Sequence, residues 1–142
     1  MHMDEEVAGM RRIIEQAPDQ FALREQFEAW MKTFHHDADW SLLAIELALQ
    51  ARRDAVFARK YDKVQTAHRL ALGEVISLFF SRAGKRLPAE AASMATIFKA
   101  LAYGLALQDR PKQRIEGIAE PIALLRLVMA SVLKAADKSG KA

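Results

Sequence analysis

The stretch His35-His36-Asp37-Ala38-Asp39 holds the residue types that most resemble a metal-ligand set in this sequence. Imidazole and carboxylate groups are ligands for zinc and related ions. Neighbouring residues do not share a helix face, however, so both rings can meet one ion only if the chain folds around it. The simpler reading is a polar corner in which Asp37 and Asp39 offer N-cap oxygens to a following helix. His68 stands apart, between Val64 and Ala71 on an apolar stripe. Two readings of it stay open: a buried neutral imidazole satisfied by a neighbour, or a polar group lining a ligand cavity. Tyr61 lies one heptad earlier and Tyr103 further along, and each brings a hydroxyl that needs a partner when buried. Small molecules are commonly held in apolar pockets with a few placed polar groups of this kind.

Catalytic patterns are missing. There is no Cys, so neither a thiol nucleophile, a thiolate metal site nor a disulfide is available. No Gly-x-Ser-x-Gly elbow, phosphate-binding Gly loop or His-Glu-x-x-His pair occurs. The paired Glu-x-x-His motifs of a di-iron bundle are also absent. The chain is therefore expected not to be an enzyme and to need no cofactor and no metal.

The elements that must position these groups are helical. Ala, Leu, Glu, Gln, Arg and Lys dominate, with only 6 Gly and 4 Pro, and those dominant types favour helix. Apolar residues recur at spacings of three and four. The expected fold is all-α, six helices without strands. The first runs from about Asp4 to Gln16, with Val7, Met10, Ile13 and Ile14 on one face, and Pro18 ends it. The second starts near Pro18 and carries Leu23, Phe27, Trp30, Met31 and Phe34. The third, about Ala38 to Arg52, is apolar on most sides and is expected to be central. Along it Asp39, Glu46, Gln50 and Arg53 form a polar stripe, which places Glu46 at a surface or pocket rim. Asp54 caps a long fourth helix to about Ala83, whose seam is Phe57, Tyr61, Val64, His68, Ala71, Val75 and Leu78. Gly84 closes it in a left-handed conformation. Pro88 opens the fifth helix near its first turn, and that helix reaches about Gln108. Gly104 inside it costs about 1 kcal/mol relative to Ala; either close approach of another helix or ligand, or simple tolerance, explains it. A polar loop to about Gly117 leads to a sixth helix, roughly Ala119 to Asp137.

The bulk numbers agree with one domain spanning 1–142. A chain of 142 residues can bury roughly 70% of its unfolded surface. Hydrophobic residues make up 51% and charged residues 27%, an ordinary globular balance. Met1–Met3 reads as a cloning remnant and 138–142 as a frayed, disordered tail. No membrane span and no signal peptide are visible, and with no Cys the expected location is the cytoplasm. The net charge of +3 is spread over Arg11, Arg12, Arg52, Arg53, Arg59, Lys60, Lys85, Arg86, Lys112 and Arg114, which reads as solvated surface rather than a nucleic-acid face.

From about Trp40 to Gln108 the chain resembles the regulatory domain of the tetracycline-repressor (TetR) family. The third helix ends in Glu46-Leu-Ala-Leu-Gln-Ala-Arg-Arg-Asp54, like that family's acidic-apolar helix breaking at an Arg-Asp corner. The long helix ends in Ala83-Gly-Lys-Arg-Leu87, like its Gly turn, and Ala100-Leu-Ala-Tyr-Gly-Leu-Ala-Leu-Gln108 is similar to a family helix with Gly inside. Tyr103 departs from the pattern, since family members often carry an acidic residue there. The helix order fits nearly the whole chain. The family's N-terminal helix-turn-helix is missing, and the chain begins where the linking helix would be.

The resemblance implies the effector-binding and dimerisation domain of a bacterial transcriptional regulator, a repressor released from DNA by a small molecule. It implies a homodimer with a four-helix interface from the last two helices of each copy. Ile122, Leu125, Arg126, Met129 and Leu133 are the candidate interface residues, because the sixth helix is apolar nearly all round. The candidate ligand-binding residues begin with Trp30, Phe34, Trp40, Leu43 and Leu47 on the earlier helices. Tyr61, Val64, His68, Phe98 and Leu101 complete the set, which suits a small hydrophobic or aromatic effector. The same aromatics at helical spacing also read as plain core. The alternative function is a stand-alone helical module that binds a protein partner.

Specific DNA readout needs an element that enters the major groove and side chains that reach base edges. This chain alone is expected to lack it, and Arg11 and Arg12 supply only weak, salt-sensitive attraction to phosphate. A titration against random and promoter duplexes at near-physiological salt should therefore show no preference. Sequence-specific binding at nanomolar affinity would overturn this reading.

Overall fold

The computed structural model describes residues 2–33, 38–108 and 121–139. Among them the chain forms six α-helices and no strand: α1 (His2–Gln16), α2 (Gln20–Thr33), α3 (Ala38–Arg53), α4 (Ala55–Arg82), α5 (Ala91–Gln108) and α6 (Pro121–Ser139). The expected helices are present in the expected order, with small shifts at their ends. Among the described residues no helix is long and apolar enough to cross a membrane.

Local chemistry explains most of the boundaries. The Asp19 carboxylate accepts from the Ala22 backbone N–H at 2.7 Å at the start of α2. Asp54, in an extended conformation, accepts from Val56 and Phe57 N–H at 2.9 and 3.1 Å and so satisfies two donors that α4 would otherwise leave open. At the other end of α4, Gly84 adopts φ +69°. Its N–H donates to Ser81 O at 3.1 Å while the Lys85 N–H donates to Phe80 O at 2.8 Å. That pair of bonds is a Schellman closure, which needs a residue free to enter the left-handed region. Pro88 does not open α5 as expected. It sits in a bend before the helix, which starts at Ala91, with Glu90 O accepting from Met94 N–H at 2.9 Å. The closure after α4 is followed by six non-helical residues, 85–90, before α5 begins.

The core sits at one end of the bundle, around the C-terminal half of α4. Val75, Phe79, Phe80 and Ala83 are buried there with Val7 and Ile14 of α1, Ala17 and Leu23 near α2, Met94 of α5 and Ala136 of α6. Ile14, Leu23 and Val75 are almost completely shielded. Side chains of this size contribute roughly 1.5–3 kcal/mol each on full burial. Arg11 on α1 reaches Glu74 of α4 at 3.1 Å, and Arg82 donates to the Ala17 carbonyl, so polar groups tie the same end together at its rim.

The other end is looser. There α3 packs on α4 and α5, yet among its described side chains Ala44 alone is buried. The expectation of a central α3 is therefore corrected: Leu42, Leu43 and Leu49 are exposed. The small residues carry the burial of α3, Ala44 being buried and Ala48 and Ala51 half-buried. The seam expected along α4 divides in the same way. Val75 is buried, Tyr61, His68 and Ala71 are half-buried, and Val64 is exposed.

Gly73 holds the two ends in register. A Cβ added there would lie 3.1 Å from the backbone C and O of Ala91. Backbone moves aside less easily than a side-chain tip, so any larger residue here would push α4 and α5 apart by a few tenths of an ångström. Replacing it by a branched residue should cost about 1–3 kcal/mol, as overpacking does. Gly73→Val is expected to lower the urea midpoint accordingly. An unchanged midpoint would show that the α4–α5 contact yields more easily than this geometry implies.

Candidate functional site

The antiparallel pairing of α4 and α5 determines which side chains meet at the open end. Gly73 lies against Ala91 and Ala92. Two turns back along α4 and two turns on along α5, Gln65 meets Lys99, whose ammonium donates to Gln65 Oε1. On α4, Tyr61, Gln65 and Arg69 follow at intervals of four residues and so share one face. All three are half-buried, as is Lys99.

Lys99 is the only Lys, Arg, Asp or Glu in the sequence of α5. Burial, and next the positive charge of Arg69, lower its pKa from 10.5 to about 8. Both causes act against the protonated amine, because a desolvated charge beside a like charge is destabilised twice. Tyr61 is pushed up from its ordinary value, first by burial and then by the negative charge of Asp62. Its ring stacks on Phe57 with centroids 6.0 Å apart and planes inclined by 26°. The arrangement is an aromatic pair followed along one helix by an amide and a guanidinium, with an amine facing them from the next helix. Such a surface can hold an apolar body at one end and an oxygen-bearing group at the other.

The residues expected from sequence fall into three groups. Leu47, Tyr61, His68 and Leu101 are half-buried on the three helices of the open end, and Nδ1 of His68 is buried. Phe98 is half-buried too but packs against the core cluster. Leu43 and Val64 are 42% and 56% exposed. Phe34 lies outside the described residues, as do the side chains of Trp30 and Trp40 and the His35-His36-Asp37 corner with the Asp39 side chain. Glu46, Gln50 and Arg53 are exposed, in keeping with a polar surface stripe. Among the described residues no three His, Asp or Glu side chains stand together where they could hold a metal ion.

On α6 the side chains of Ile122, Leu125 and Arg126 lie outside the described residues. Met129 is half-buried, and Leu133 is half-buried and packs against the core cluster. Leu127, which the sequence did not single out, is 63% exposed. Gln65, Arg69 and Lys99 were also missed. Only Lys99 left a trace in the sequence, as one charge inside an otherwise uncharged apolar helix. No protein-family model, curated protein or solved structure matches this chain.

The lowered pKa of Lys99 has a consequence for stability. In the folded chain Lys99 releases its proton near pH 8, while in the unfolded chain it holds it to about 10.5. Between these values the unfolded state binds more protons, so this group's contribution makes stability rise with pH. Below pH 8 both states carry the proton and the penalty of burying the charge is fully present. Lys99→Met removes that penalty. Urea denaturation at pH 7 and pH 10 should show the variant gaining stability over the parent chain at pH 7 and less of it at pH 10. An equal difference at both pH values would contradict the assignment.

Proposed function

We propose that this chain is the effector-binding and dimerisation domain of a transcriptional regulator of the TetR type, and that it acts as a two-fold homodimer through α5 and α6 of each copy. The observation that carries the proposal is the outward face of α5. Ile97 and Leu107 on it are 51% and 57% exposed, and Ala100 between them is exposed. At Gly104, on the same face, an added Cβ would meet nothing within 4 Å among the described residues. On the neighbouring α6, Leu127 is 63% exposed. Large apolar side chains gathered around a small-residue stretch suit a close helix contact, and contiguous exposed apolar surface marks interfaces. The glycine costs about 1 kcal/mol in an isolated helix, a cost that close approach of a second helix can offset. Two-fold symmetry is the commonest arrangement of homo-oligomers.

In this reading the well-packed end serves as the fixed body. The open end, where Leu47, Tyr61, His68 and Leu101 gather, takes a small hydrophobic or aromatic effector. Control of transcription belongs to the intact regulator, in which effector binding favours the arrangement released from DNA. Such coupling requires that the effector bind one of two arrangements more tightly.

Sedimentation at micromolar concentration tests the proposal. A dimer is expected, and Leu107→Glu or Leu127→Glu should convert it to a monomer that keeps its helical circular dichroism. Gly104→Ala should weaken association, although in an isolated chain it would stabilise the helix by about 1 kcal/mol. A monomeric parent chain would overturn the reading and favour a stand-alone module that offers its open apolar face to a protein partner.

A further inference from the structure

We infer that the seam between α4 and α5 holds the acidic group of an amphipathic organic anion, with Lys99 and Arg69 binding its carboxylate and the Phe57–Tyr61 pair flanking its apolar body. The inference rests on the reading of the open end as an effector site and adds the chemical class of the effector. Three observations converge on it. The first is placement. Lys99 sits in an apolar helix with no other Lys, Arg, Asp or Glu, half-buried, and reaches across the seam to Gln65 Oε1. That contact uses one of its three N–H donors.

The second observation is charge. Arg69 shares the Gln65 face and lies close enough to lower the pKa of Lys99 by repulsion. Among the described residues no carboxylate stands within ion-pair distance of Lys99 or Arg69. Two half-buried cations, one on each helix of the seam, form a positive site with no described acid paired to either. Buried or partly buried charges are normally paired, and a bound anion would relieve both the desolvation and the repulsion at once.

The third observation is the surroundings. One turn before Gln65, Tyr61 stacks on Phe57, and Leu47 and Leu101 are half-buried on α3 and α5. A bare inorganic anion would leave that apolar surface unused, whereas an aromatic or short-chain carboxylate uses both parts. Arginine binds a carboxylate through a planar fork and lysine through a point charge, so the pair can take both oxygens of one acid.

Isothermal titration with phenylacetate and with phenylacetamide separates charge from shape, since the two are nearly isosteric. Phenylacetate should bind at least about tenfold more tightly, in line with charge-assisted hydrogen bonds. Lys99→Met and Arg69→Met should each abolish the preference, Lys99→Arg should keep part of it, and Lys60→Met, on an exposed position of α4, should leave it intact. Acid and amide binding equally would overturn the anion site and leave the effector reading standing. A preference that survives Lys99→Met would overturn the location. Binding of neither compound at millimolar concentration would overturn both readings.

Discussion

At Gly73 the backbones of α4 and α5 come so close that a Cβ there would sit 3.1 Å from Ala91 backbone atoms, tighter than most side chains accept. Much of the described structure depends on that contact. On one side of it Val75, Phe79 and Phe80 of α4 close over Met94 and the inner faces of α1, α2 and α6. On the other side the same antiparallel register sets Gln65 against Lys99. One close approach therefore aligns both the packed end and the polar seam. A slip of one turn would separate Gln65 from Lys99 and move Leu72 and Val75 away from the residues that shield them.

The architecture was legible because it rests on local rules. Asp54 as a cap, Gly84 as a left-handed closure and the inward stripe Val7, Met10 and Ile14 of α1 are each decided within a few residues of chain. Where the reading failed, the outcome depended on partners far away in sequence. α3 is apolar on most sides, and that pattern alone cannot say which of those sides meets a neighbour. Leu43 was assigned to a cavity wall and is exposed, while the small Ala44 beside it is buried. Hydrophobicity identifies a residue that needs cover; it does not identify what covers it.

The candidate site was legible in part for the same reason. Tyr61 and His68 stood out as polar interruptions of an apolar stripe, and they are half-buried at the open end. Arg69 and Lys99 did not stand out, because a cation on a helix is ordinarily solvated. Only the pairing of two helices shows that these two cations share one seam. Gln65 is a still weaker signal in sequence, an unremarked amide whose role comes from the residue it faces.

The unequal packing of the two ends has a physical logic. Where α1, α2, α5 and α6 converge on α4, large side chains are shielded on all sides and polar ties such as Arg11–Glu74 close the rim. Opening that end would expose many apolar groups together, so its local stability approaches that of the whole fold. Around Lys99 the balance is different. A half-buried amine is retained beside a guanidinium, although an apolar residue would suit an otherwise uncharged helix better. Local choices that contradict the fold's own stability concentrate where a protein does something besides fold. The packed end supplies the margin that lets such a contradiction persist. Gly73 lies at the boundary between the two, so stability gained at one end supports a strained charge at the other.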